Sequence, residues 1–224
     1  MAAKHFHKEL TKIKKLILSL GTLVEERVQK ATKAIETKDA ATARWLIESD
    51  HEINTMEVET EEECLKILAL YQPVAVDLRF IIAVIKINND LERIGDEAAN
   101  IAERLGVILK HTSIRVTYDY TPMSEKAAAM LKKSLDALVN LDVDVAKEVI
   151  RMDDDIDRMD NAAYDQIKTY MNRTPEHMGY WINLMYISRH IERIADHAVN
   201  IAEEVIYMIE GEIVRHGHSP IEFH

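Results

Sequence analysis

One cysteine, Cys64, stands alone in 224 residues. A disulfide framework and a thiolate metal site are therefore excluded, and a reducing compartment is the simplest setting. Helix breakers are also scarce. Six Gly and four Pro leave long uninterrupted segments whose apolar residues recur at the helical period, so an all-α fold follows. No uncharged apolar stretch approaches the ~20 residues needed to span a bilayer. The opening "MAAKHFHKELTKIKK" is charged, with no apolar block behind it. The expectation is a cytoplasmic protein, neither secreted nor integral to a membrane. Positive charge is in deficit as well, 28 Lys+Arg against 39 Asp+Glu, a net charge of -11. That balance repels phosphate backbones and argues against a nucleic-acid partner; cations are the more natural small partners.

Start and stop signals predict six helices. The first covers about 4–36, the second runs from an N-cap at Asp39 to about Tyr71, and the third from Pro73 or Val74 to about His111. The segment "TSIRVTYDYTPM" links two halves. The fourth helix opens at the cap-like Thr121 before Pro122 and reaches about Asn140, the fifth is capped at Asp142, and the sixth starts near Pro175. Short connections make neighbours antiparallel, so residues 1–112 and 118–224 are each expected to form a three-helix bundle with members up to roughly 50 Å long.

The halves repeat. "DLERIGDEAANIAER" from Asp90 is answered one hundred residues later by "HIERIADHAVNIAEE" from His190, with nine identities between 90–103 and 190–203. At an offset of 103, Asp39, Ala43, Ile47, Asp50, Ile53 and Met56 match Asp142, Ala146, Ile150, Asp153, Ile156 and Met159. In each long motif Glu92, Asp96 and Asn100, or Glu192, Asp196 and Asn200, stand at i, i+4 and i+8, on one helix face. An antiparallel turn at Pro73 brings Glu57 level with Glu92 and Asp50 level with Asp96. A turn near Pro175 does the same for Asp160 with Glu192 and Asp153 with Asp196.

Carboxylates set against carboxylates repel, by about 1 kcal/mol at 4 Å in water and about 4 kcal/mol at an effective dielectric of 20. They need protons, Lys or Arg partners, or metal cations. Oxygen-only ligands suit Mg²⁺ and Mn²⁺, carboxylate-rich helical sites also hold iron, and the ligand set does not exclude zinc. The candidate ligands are Glu92, Asp96, Glu192, Asp196, Asp50, Glu57, Asp153, Asp160, Asn100 and Asn200. The opposing view is a solvated face neutralised by Arg93, Arg193 or Lys86. Glu48 and His51 form one ExxH pair where di-iron bundles need two, so His51 reads as a surface histidine. His190 and His197 replace the first motif's Asp90 and Glu97 and read as partly exposed. Met56, Phe80, Trp45, Trp181 and Met185 read as core, and the terminal "RHGHSPIEFH" as a frayed tail. Phosphate loops, nucleophile elbows and triad spacings are missing. A carboxylate-bridged metalloenzyme, a phosphatase or oxidase, is the competing reading, yet the acids come without a distinct acid, base or nucleophile.

The stretches "QPVAVDLRFIIAVIKINNDLERIGDEAANIAE" and "ISRHIERIADHAVNIAEEVIYMIEGE" resemble the two repeats of the PhoU family, accessory regulators of bacterial phosphate-specific transport. The resemblance runs from "LILSLGTLVEERVQKA" to "EGEIVRH" and implies two pseudo-symmetric three-helix bundles. It also implies metal ions or multinuclear clusters on Glu92, Asp96, Glu192 and Asp196, and a non-enzymatic regulatory role that restrains phosphate uptake and the phosphate-starvation response. The partners it implies are the phosphate ABC transporter's ATPase subunit and the membrane sensor histidine kinase; a homodimer is expected as well. Ala195 replaces Gly95 in the second motif, and both are small enough for close helix packing.

Overall fold

The computed structural model describes residues 2–111, 113–114 and 117–214, and among these it contains helices and no strand. The terminal segment read above as a tail, 215–224, lies outside the described residues. The helices are α1 (Ala2–Thr37), α2 (Ala40–Glu48), α3 (His51–Tyr71), α4 (Ala75–Ile108), α5 (Thr121–Asn140), α6 (Val143–Arg173) and α7 (Met178–Glu210). A single 3-10 turn, Pro175–His177, precedes α7. The two tandem three-helix bundles expected from the sequence are thus α1, α2–α3 and α4, then α5, α6 and α7.

Local chemistry accounts for the boundaries. Asp39 accepts hydrogen bonds from the Ala41 and Thr42 amides at 2.9 and 3.1 Å. Its counterpart Asp142 accepts from Asp144 and Val145 at 3.0 Å each, so both predicted caps form. The residues before them, Lys38 and Leu141, share a left-handed conformation with φ of 55° and 54°. That conformation costs roughly 1–2 kcal/mol per non-glycine residue, and it lets each long helix reverse onto the next. At the turn before α7, the Trp181 indole N–H donates to the carbonyl and hydroxyl of Thr174, both at 3.1 Å.

Four expectations need correction. The second predicted helix breaks at Ser49–Asp50, where Ser49 Oγ donates to the Trp45 carbonyl at 2.7 Å and bends the chain. The equivalent position in the second half is Met152, which cannot do this, and α6 runs unbroken. The third helix ends at Ile108, not His111, because its last amides tighten to i→i+3 bonds. Thr121 does not cap α5; its own amide is satisfied by Asp119 at 3.0 Å. Trp45 is not core. It is 38% exposed, with the Arg27 guanidinium 4.0 Å and the Lys30 ammonium 4.7 Å from its ring centroid, so its face is covered by cations.

The apolar positions of α4 and α7, among them Ile87, Leu91, Ile94, Ile187, Ile191 and Ile194, are buried and join one continuous core across both halves. Burying each such side chain contributes about 1.5–3 kcal/mol. The halves meet mainly along α4 and α7, with α1 against α5. This seam fixes how the two acidic faces lie on the molecule.

Candidate functional site

In the first half the predicted carboxylates do feel one another across the α3–α4 hairpin. Burial raises the Glu92 carboxyl above its ordinary range, and the charge of Asp96 adds to this, with smaller contributions from Glu57 and Asp50 against the relief of Arg93. Asp96 is raised by burial and then by Asp50, and Glu57 by burial and then by Glu61. Arg93 lies 3.5 Å from Glu92 and 3.9 Å from Asp96. Asn88, almost fully buried, donates to the backbone carbonyl and carboxylate of Glu57 at 2.9 and 3.3 Å.

The second half is more strongly perturbed. Burial, then the charge of Asp196, pushes Glu192 up to about 7. Asp153 is pushed up to about 6, again by burial first and Asp196 second. Asp196 is itself raised by burial. Arg189 pairs with Glu192, and the Ser188 hydroxyl donates to Asp160. Asp157 joins this face, its charge raising Glu192, Asp153 and Asp196 alike. It escapes a reading based on the repeat because its counterpart is an amide, Asn54. Its spacing of four from Asp153 and three from Asp160 was the available signal.

Among the candidate ligands, Glu92 Oε2, Asp153 Oδ1 and Glu192 Oε2 are buried without a hydrogen-bond partner, although Glu92 Oε2 keeps its ion pair with Arg93. Buried acceptors ordinarily find a donor, and these oxygens fit hard cations in chemistry. Among the described residues, however, no three His, Cys, Asp or Glu side chains are gathered as a ready coordination shell. On each face the acids are electrostatically coupled and engage Arg, Ser or Asn neighbours.

The two asparagines lie elsewhere. Asn200 donates to Asp90 at 3.1 Å and Asn100 to Glu97 at 3.5 Å, both at the α4–α7 seam. The seam also holds the histidines. His190 Nδ1 lies 2.6 Å from Glu97 and His197 Nδ1 2.8 Å from Asp90. His190 is buried, contrary to expectation, because α4 covers it and its ring stacks on Tyr186. Arg193 reaches across to Glu97 at 3.0 Å, and Lys86 to Glu204 at 3.0 Å. Of the three predicted neutralising cations, only Arg93 pairs with the acids of its own motif.

With this geometry in view, a family model described as the PhoU domain matches residues 17–105 and again 121–205. The phosphate-specific transport system accessory protein PhoU homolog of Pseudomonas aeruginosa is 38% identical over 215 residues, covering 96% of this chain and 89% of that protein. Its homolog in Aquifex aeolicus is 39% identical over 211 residues, covering 94% and 96%. The crystal structure of PhoU from Pseudomonas aeruginosa superposes with a TM-score of 0.88, covering 92% of this chain and all of that one. The phosphate transport system regulatory protein PhoU from Streptococcus pneumoniae gives 0.86 at 33% identity, covering 93% of this chain. These relatives carry the names of accessory and regulatory proteins, not of enzymes. The double match, the identity along nearly the whole chain and the shared fold place this chain in the PhoU family.

Proposed function

We propose that the chain is a metal-binding regulatory adaptor of phosphate transport, with residues 1–112 and 118–224 acting as two equivalent repeats. It restrains phosphate uptake and the phosphate-starvation response by contacting the transporter's ATPase subunit and the sensor histidine kinase. No helix among the described residues is long and apolar enough to cross a membrane. The net charge of -11 supplies no attraction to anionic lipid. A place at the inner face of the membrane therefore comes through protein partners, with the bulk of the protein cytoplasmic and homodimeric.

The observation that carries the metal reading is the raising of carboxyls by one another's charge on both repeated faces, joined on the second by the orphaned buried oxygens of Asp153 and Glu192. Glu92, Asp96, Asp50 and Glu57 would hold one set of iron, manganese, magnesium or zinc ions, singly or as a cluster. Glu192, Asp196, Asp153 and Asp160 would hold the other, with Asp157 beside them. A bound cation neutralises each face and adds a point of contact for a partner.

Metal analysis of chelator-washed and reloaded protein tests this. Asp96→Ala and Asp196→Ala should each lose one face's metal and keep the other's, and chelation should weaken association with the ATPase subunit or the kinase, with no phosphoester turnover. Unchanged stoichiometry in both variants refutes the ligand assignment. Partner binding indifferent to chelator removes the coupling.

A further inference from the structure

Two clefts share part of their lining across the repeat. The first lies where α3 and α4 meet α7, with Glu57, Glu61, Ile85, Lys86 and Asn89 facing Asn200 and Glu204, and Lys86 is tied down by Glu204. The second, between α6 and α7, has about 430 Å³ of space and puts Asp160, Tyr164, Met185, Tyr186 and Arg189 at the corresponding positions. Duplication has thus exchanged a Glu and a Lys for two tyrosines. Tyr164 and Tyr186 are 47% and 50% exposed, and Ile182 on the same rim is 39% exposed. Exposed aromatic and apolar side chains gathered at one cleft are the composition of an interface anchor pocket.

Charge selects the occupant. Tyr164 ends a stripe on α6 that continues through Asp160 and Asp157 to Asp153, at helical spacings of four, three and four. The cations nearby are already engaged: Arg189 with Glu192, Arg158 with Asp155, and Lys168 over the Tyr164 ring. Asp157 is exposed and has no ion pair among the described residues, so the groove is apolar on its side toward the α6–α7 turn and acidic beyond it.

We propose that this groove docks a peptide segment of a partner protein carrying an apolar or aromatic anchor residue followed, one to two turns along, by Lys or Arg. The anchor fills the space among Tyr164, Ile182, Met185 and Tyr186, and the basic residues meet Asp157 and, where it holds no cation, Asp160. A second copy would bring the same acidic helix against its like, and an anionic lipid surface would be repelled, so neither suits the groove. The proposal rests on the adaptor reading for the existence of a partner, but not on metal, and its test is run in chelator.

Fluorescein-labelled helical peptides of about three turns, each with one Leu or Phe anchor and Lys residues three, four and seven positions on, are titrated against the whole chain. Matched peptides carry Glu for Lys, or Ser for the anchor. The Lys peptides should bind at least about tenfold tighter than either control, a difference of about 1.4 kcal/mol. Ile182→Glu and Asp157→Lys should each weaken them by a similar factor. Both positions are exposed, and melting curves confirm that the variants fold. Equal binding of Lys and Glu peptides, no binding at all, or indifference to Ile182→Glu overturns the proposal. If Ile182→Glu instead breaks a dimer in sedimentation, or abolishes binding to phosphatidylglycerol vesicles, the groove belongs to a second copy or to lipid and the proposal likewise falls. Such failure, with metal stoichiometry and ATPase or kinase association intact, leaves the adaptor reading standing.

Discussion

His190 and Glu97 join the two halves through a 2.6 Å contact buried at the α4–α7 seam, and His197 and Asp90 repeat the contact at 2.8 Å on the other side of the pseudo-symmetry axis. In the repeat, 90 corresponds to 190 and 97 to 197. Each pair therefore sets an acid of the first motif against the histidine that replaces the other acid in the second. Glu97, nearly fully buried, is pushed upward by burial. The His190 hydrogen bond and the charges of His190 and Arg193 outweigh that push, so its carboxyl lies below the usual range.

Glu97→Gln should destabilise the chain by about 1.5–3 kcal/mol, the range for hydrogen bonds to charged groups. For a chain of this size that is about 2–4 °C of melting temperature per kcal/mol. His190→Glu, which sets two carboxylates face to face, should cost more. The exchange Glu97→His with His190→Glu should recover at least half of that loss. Thermal melts of the four proteins decide it, and a doubly exchanged protein no more stable than His190→Glu means that charge pairing does not hold the seam.

The raised carboxyls predict a pH dependence. Glu192, pushed up to about 7 from an ordinary 4.5, and Asp153, pushed up to about 6 from 3.8, keep protons in the folded state that the unfolded chain has released. Between about pH 4 and 7 the folded state binds more protons, so these groups make stability fall as pH rises through that window. The depressed Glu97 acts oppositely, its contribution being lost only as pH falls below the ordinary glutamate value. Melting temperature in chelator should therefore be higher near pH 5 than near pH 7.5, and Asp196→Asn, which removes a shared repelling charge, should flatten the slope. A slope of the opposite sign in the parent protein would contradict the mutual repulsion.

Gly95 is less interchangeable with alanine than the repeat suggests. A methyl group there would stand 2.7 Å from Ile53 Cδ1 and 3.2 Å from its Cγ2, and Ile53 is buried. The overpacking cost of about 1–3 kcal/mol opposes a helix-propensity gain of about 1 kcal/mol, so Gly95→Ala should lower stability modestly. Adding Ile53→Val removes the closest atom and should make the double variant more stable than the sum of the two single effects. Strict additivity in urea melts would show that the contact relaxes without cost.

Asp142 accepts two amides at the start of α6, and Asp142→Ala should cost about 1 kcal/mol. Asp142→Asn should retain most of the cap. Chemical denaturation of the two variants checks the ranking; equal losses would point to charge and not to the cap bonds.

Local and periodic features were determined by the sequence itself: all-helical segments, their reversal at Pro73 and Pro175, the caps at Asp39 and Asp142, and the levelling of Asp50 with Asp96 and Asp153 with Asp196. These depend on the helical repeat and on hydrogen bonds made within a few residues. Tertiary structure decided what faces what between elements that the period does not relate. Asn100 and Asn200 share a helical spacing with the acids, yet packing of α4 on α7 turns both toward the seam, and the same packing buries His190 and draws Arg193 away to Glu97. Trp45 comes to rest under Arg27 and Lys30 because α2 packs against α1, which carries both cations, where apolar content alone had suggested the core. Asp157 is the mixed case: its spacing of four from Asp153 and three from Asp160 sets it on their stripe of α6, whereas only the packing of α6 on α7 brings its charge to bear on Glu192 and Asp196.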